Sequence, residues 1–151
     1  MEVAQQAQEY WNNFKSSEGI DHDNYNISMF GGPDIADQLC ELIVSGEKTA
    51  GSSLVKDFEM AGDPLPKAGD FHVVINSEKE PVCIIKITDT EKHMFYDVPE
   101  SVAAAEGEGD KSLAHWQNVH EDFFSFFLEE LEIDSLENAE VITEHFEVVF
   151  K

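Results

Sequence analysis

The apolar positions of the chain fall into blocks of helical spacing and blocks of strand spacing. Val3, Ala7, Tyr10, Trp11 and Phe14 recur at threes and fours, which predicts a helix over 3–15. Residues 16–33 are polar and rich in turn formers, and Gly31-Gly32-Pro33 breaks the chain before the next element. Ile35, Leu39, Leu42 and Ile43 then mark a second helix, with Asp34 as its N-cap and Gly46 as its stop. KTAGSSLV, 48–55, reads as the start of a strand. Residues 56–70 hold Gly62-Asp63-Pro64, Pro66 and Gly69-Asp70 and read as a connection. FHVVIN (71–76) and PVCIIKITD (81–89) are rich in β-branched residues and flank the polar SEKE, a hairpin pattern that TEKHMFYDV extends.

PESVAAAEG (99–107) begins with proline at a first helical position and ends in the EGEGD loop. Ser112 caps a long helix over 112–131, whose apolar face is Leu113, Trp116, His120, Phe123, Phe124, Phe127 and Leu131. VITEHFEVVF alternates as a closing strand. No repeat, low-complexity tract or interior linker interrupts the chain, so residues 1–151 read as one domain. Strands that begin mid-chain and end at the C-terminus, with helices between, predict an α+β fold around a small curved or closed sheet. Closure hides sheet edges.

Charge changes the picture most. Thirty-two acidic residues stand against nine basic ones, a net charge of −23, and all nine basic residues are lysines. Without arginine the chain lacks the side chain best shaped for bidentate phosphate contacts. It cannot build the basic stripe that duplex DNA binding needs, and its field repels polyanions. Any RNA contact is expected to be local, short and salt-sensitive. No apolar run reaches the roughly 18–20 residues of a membrane span. The N-terminus has neither a basic start nor an apolar signal core, and Cys40 and Cys83 sit singly in apolar segments. Free thiols in a cytoplasmic protein are the expectation.

Two segments carry chemistry. SGEKTAGSS (45–53) places the Lys48 ammonium beside Thr49, Ser52 and Ser53. Lysine with a hydroxyl is a nucleophile–base pairing when the lysine is desolvated, and an ammonium also binds a carbonyl oxygen or an anion. The plainer reading is a solvated turn lysine. EGEGD (106–110) alternates Glu106, Glu108 and Asp110 with two glycines, which permit close approach by a ligand. One carboxylate there can orient Lys48 or act as acid or base. The spacing is not that of a calcium loop, His115 and His120 are five apart, and the other histidines are scattered. No metal site or cofactor is therefore expected. Trp116 is a stacking candidate, although an aromatic stripe at helical spacing usually packs a core.

Taken together, LCELIVSGEKTAGSSL, GDFHVVIN, PVCIIKIT, AAAEGEGDKSLAHWQNVHEDFF and the closing FEVVF resemble the ASCH-domain family over about residues 34–150. Residues 1–33 then form an N-terminal helical extension. The resemblance implies a PUA-like small β-barrel flanked by helices, with a cleft between the first helix–strand turn and the acidic loop, and a role near RNA or modified nucleosides. One branch of the family resembles amidohydrolases that deacetylate the exocyclic nitrogen of cytidine, using a lysine, a threonine three residues later and a glutamate. By motif these fall on Lys48, Gly51 and Glu108. Gly51 has no hydroxyl, so that chemistry needs Ser52 or Thr49 instead.

Three functions stay open on the sequence. The leading one is a module that binds a nucleoside or short single-stranded RNA. Lys48 donates to a carbonyl or phosphate, Glu108 or Glu106 accepts from an exocyclic amine, Trp116 stacks, and Thr49, Gly51 and Ser52 line the cleft. This reading expects Lys48→Ala to weaken binding without unfolding the protein. The alternative is an amidohydrolase of N-acylated cytidine-type nucleosides with Lys48, Glu108 and Ser52 or Thr49 as catalytic groups. A third is a protein-interaction domain with a degenerate cleft.

Overall fold

The computed structural model describes residues 2–151. Five strands form one sheet: β1 (Asn26–Ser28), β2 (Ala50–Leu54), β3 (Phe71–Ile75), β4 (Pro81–Met94) and β5 (Glu140–Phe150). Their spatial order is β1-β3-β4-β5-β2. β1 runs parallel to β3, and the other neighbours are antiparallel. β4 and β5 pair from Ile84 opposite Phe150 to Met94 opposite Glu140, with register shifts near Ile84 and Ile87. Such irregularities bend a strand and raise its twist. The fold is α+β, as expected, and the sheet curls into a half-barrel. No ladder joins β1 to β2, so these strands are the two edges of the opening.

Five helices cover the sheet: α1 (Val3–Glu18), α2 (Ala36–Ser45), α3 (Val55–Ala61), α4 (Glu100–Glu106) and α5 (Leu113–Ser125). Strand alternation explains why both faces need cover. Val73 and Ile84 pack with Ala7, Trp11 and Phe14 of α1. Their neighbours Val74 and Ile85 pack with Cys40 and Ile43 of α2. Trp11 is fully buried, and its indole N–H donates to the His22 carbonyl at 3.0 Å. A third cluster joins Leu54 and Val141 to Phe95, Val102, Trp116 and Phe124. It fixes α4 and α5 beside β2, where the candidate site lies.

Four details differ from the sequence pattern. β1 lies inside the polar 16–33 segment, where three residues are too few to show periodicity. Asp34 does not cap α2. The Gly32 carbonyl accepts from Ala36 N at 2.9 Å, and Ile35 occupies the cap position without a side-chain bond. Residues 55–61 form a helix rather than part of a connection, because VKDFEMA contains no breaker before Gly62. α5 ends at Ser125 instead of continuing to 131. Glu129, Glu130 and Glu132 follow it, and carboxylates near a helix C-terminus oppose the helix dipole. Ser112 does cap α5, its hydroxyl accepting from His115 N.

Candidate functional site

The site is assembled by the end of α2 and the end of α4. Lys48 N donates to the Leu42 carbonyl at 3.0 Å, wrapping the chain around the α2 terminus, and Thr49 N donates to the Ala105 carbonyl at 2.7 Å. Gly107 makes the approach feasible. Its φ is +70°, and a Cβ there would lie 2.1 Å from the Glu47 carbonyl oxygen. A side chain has no room between these two backbones. Lys48 therefore meets Glu106 and Glu108 across roughly sixty residues of sequence.

The Lys48 ammonium has three acceptors. Its Nζ is 2.9 Å from Glu108 Oε2, 3.2 Å from Glu106 Oε1 and 3.4 Å from the Glu106 carbonyl oxygen. The side chains of Lys48 and Glu106 are 2% and 3% exposed, whereas that of Glu108 is 23% exposed. Glu106 is saturated from its other side, because the Trp116 indole N–H donates to its Oε2. His120 stacks on Trp116 with ring centroids 4.2 Å apart, and its Nδ1 donates to the Trp116 carbonyl at 2.8 Å. A carbonyl only accepts, so Nδ1 carries the proton. The His120 Nε2 stands 3.8 Å from Glu106 Oε2. Glu106, Trp116 and His120 thus form a buried platform that aims the Lys48–Glu108 pair outward.

The pair borders a cavity of about 540 Å³ that also reaches β1, β3 and β5. Phe30, Phe58, Phe123 and Phe127 contribute aromatic surface to it. Asp57, Glu106, Glu108, Glu130 and Glu144 contribute carboxylates, against the ammonium of Lys48. Burial, and then the charge of Asp70, pushes the Glu144 carboxyl up to about 7. Burial holds the His72 imidazole below its ordinary value, with Asp70 partly opposing the shift.

Of the residues singled out in the sequence, Lys48, Glu106, Glu108, Gly51 and Ser52 line this cavity. Thr49 does not. It is exposed, and its hydroxyl donates to the Ala105 carbonyl at 3.3 Å. The Ser52 hydroxyl shares a 2.8 Å hydrogen bond with Thr143 Oγ1, and Thr143 is wholly buried. Neither hydroxyl bonds to Lys48. Trp116 is 3% exposed and belongs to the platform, so its ring is not open for stacking, and the phenylalanines supply the aromatic surface of the cavity. Phe30 lies against Gly51, where a Cβ would come within 3.0 Å of its ring. Asp110 accepts from Ser112 N at 2.9 Å at the start of α5. Among the described residues, no group of three or more His, Cys, Asp or Glu side chains is placed to hold a metal ion. No helix among them is long and apolar enough to cross a membrane.

Sequence reasoning missed His72, Glu144 and Phe30. Each sits on a strand or loop with no motif around it, and only the curling of the sheet brings them together.

The comparisons with known proteins agree with this architecture. The ASCH domain model matches residues 26–150, a span that includes β1. The crystal structure of an ASCH domain from Lactobacillus crispatus JV V101 is 35% identical, covers 97% of this chain and 96% of its own, and superposes with a TM-score of 0.89. A protein from Enterococcus faecalis V583 is 30% identical over 97% of this chain and 90% of its own, with a TM-score of 0.88. No curated protein matches. The chain belongs to the ASCH-domain family.

Proposed function

We propose that the cleft binds a nucleoside by the polar edge of its base. The observation that carries this reading is the Lys48–Glu108 pair, a donor and an acceptor 2.9 Å apart, held by a buried platform at the border of an aromatic-walled cavity. An ammonium beside a carboxylate is complementary to a carbonyl beside an exocyclic amine. The Glu106 carbonyl bond, at 3.4 Å the longest made by Lys48, is the one a base carbonyl replaces most cheaply. Phe30, Phe123 and Phe127 supply faces for the ring, and base–aromatic stacking contributes about 1–3 kcal/mol per base.

The electrostatics favour a ligand without phosphate. Five carboxylates line the cavity against one ammonium, and the whole chain carries −23. A phosphate entering there meets net repulsion, so a free nucleoside is favoured over an RNA segment. The hydroxyls offer less support for hydrolysis. Those of Thr49 and Ser52 are bonded to Ala105 and Thr143, and all three Lys48 protons already have acceptors.

Titration calorimetry with a nucleoside panel and a short single-stranded RNA tests the reading in wild type and Glu108→Gln. Glu108 is the appropriate position because its side chain is the open one. The expected result is nucleoside binding that weakens about tenfold or more in the variant, the loss of a charge-assisted hydrogen bond. Equal affinity in the variant overturns the reading. N-acetylcytidine belongs in the panel with chromatographic readout, and its turnover by wild type would replace binding with amide hydrolysis.

A further inference from the structure

The cleft has a second polar end that the Lys48 chemistry leaves unused. Ser28 at the end of β1, His72 on β3 and Glu144 on β5 line the same cavity. Ser28 Oγ and His72 Nδ1 are 2.7 Å apart. The other ring nitrogen, His72 Nε2, is buried and has no hydrogen-bond partner among the described residues. Buried polar atoms are rarely left so, and the ring that carries this one lines the cavity. Glu144 lies opposite Gly51 in the β2–β5 register, and Phe30 fills the space beside Gly51.

Phe30 is two residues beyond Ser28, and Lys48 Nζ lies 6.0 Å from its ring, so one side chain borders both ends.

We infer that Ser28, His72 and Glu144 form a sugar-binding end of the cleft, at which His72 Nε2 and the Glu144 carboxyl take hydroxyl groups of the ligand. This inference rests on the nucleoside reading of the Lys48 end and adds the other half of the molecule. Hydroxyls suit these partners because each both donates and accepts. A neutral imidazole presents one donor and one acceptor, and a carboxyl poised about neutrality serves in either role. A phosphate is not expected here, since Glu144 and Asp70 stand nearby and no lysine among the described residues lines this end.

The test follows the His72 imidazole signals by heteronuclear NMR while cytosine, cytidine, cytidine 5′-monophosphate and free ribose are added in turn. Wild type is compared with His72→Gln and Glu144→Gln, each checked for a single cooperative melting transition above the titration temperature. Cytidine and ribose are expected to move the His72 signals, and cytosine is not. Either substitution should weaken cytidine about fivefold or more while leaving cytosine affinity unchanged, and the monophosphate should bind more weakly than cytidine. Cytidine binding that leaves His72 unmoved and is unaffected by both variants overturns the sugar end and keeps the base end. If neither cytosine nor cytidine binds, the nucleoside reading fails, and ribose then decides this site alone. A His72 shift on ribose keeps it, and none overturns it.

Discussion

The two ends of the cleft are built on opposite principles. At the Lys48 end every polar atom of the buried pair is matched within the protein. The ammonium has three acceptors, and both Glu106 oxygens have donors. At the His72 end a ring nitrogen is left over, and a carboxyl is held at a raised pKa by burial. The first end is therefore a structural joint, whereas the second contributes little to folding. Removing a partner from a satisfied buried ion pair is costly, but removing a group that burial already disfavours is not.

The sharpest test of that contrast is Lys48→Met. It leaves Glu106 buried beside an apolar chain, and the account expects a loss of about 3–5 kcal/mol in denaturant unfolding. Pairing it with Glu106→Gln should restore much of the loss, since a neutral amide needs no counter-charge. Because the pair is buried, Lys48→Ala is expected to lower stability as well as weaken binding. Gly107→Ala attacks the same joint through the backbone. The left-handed φ and the Glu47 carbonyl 2.1 Å from a Cβ predict a loss of about 2–4 kcal/mol and a melting point several degrees lower.

Glu144→Gln probes the other end with the opposite sign. Its native pKa, about 7, is above the ordinary 4.5, so the folded state holds a proton that the unfolded chain releases. Wild-type stability from this group is present below about 4.5, falls as pH rises toward 7, and is level beyond. The variant should therefore gain about 1–3 kcal/mol over wild type at pH 8 and almost nothing at pH 4. Taking the variant-minus-wild-type difference removes the background from Asp23, Asp37 and Asp110, whose depressed pKa values act in the opposite direction. The smallest effect belongs to Thr49→Val. Its exposed hydroxyl bond should cost no more than about 1 kcal/mol, with nucleoside affinity unchanged.

The Lys48 end was legible in the sequence because its parts are local. The α2 stop at Gly46, the lysine after it and the glycine-spaced carboxylates each form a short signal, and the ASCH resemblance joined them. Periodicity could not tell the platform from the stacking wall. Trp116 and Phe123 share one helical stripe, yet the first is buried on Glu106 and the second is about half exposed. The His72 end left no trace in the sequence. Its residues come from β1, β3 and β5, and β1 is a three-residue parallel strand inside a polar segment. Their meeting depends on sheet curl and register, which a single sequence does not display.

The most direct measurement is the ratio of cytidine to uridine affinity, by calorimetry in wild type and Glu108→Gln. The two nucleosides differ at the group that the proposed pose sets against Glu108, an amine in one and a carbonyl in the other. The account predicts that wild type prefers cytidine about tenfold or more, and that Glu108→Gln, whose amide can also donate, largely erases the preference. Equal affinities in wild type, or a preference for uridine, would contradict it.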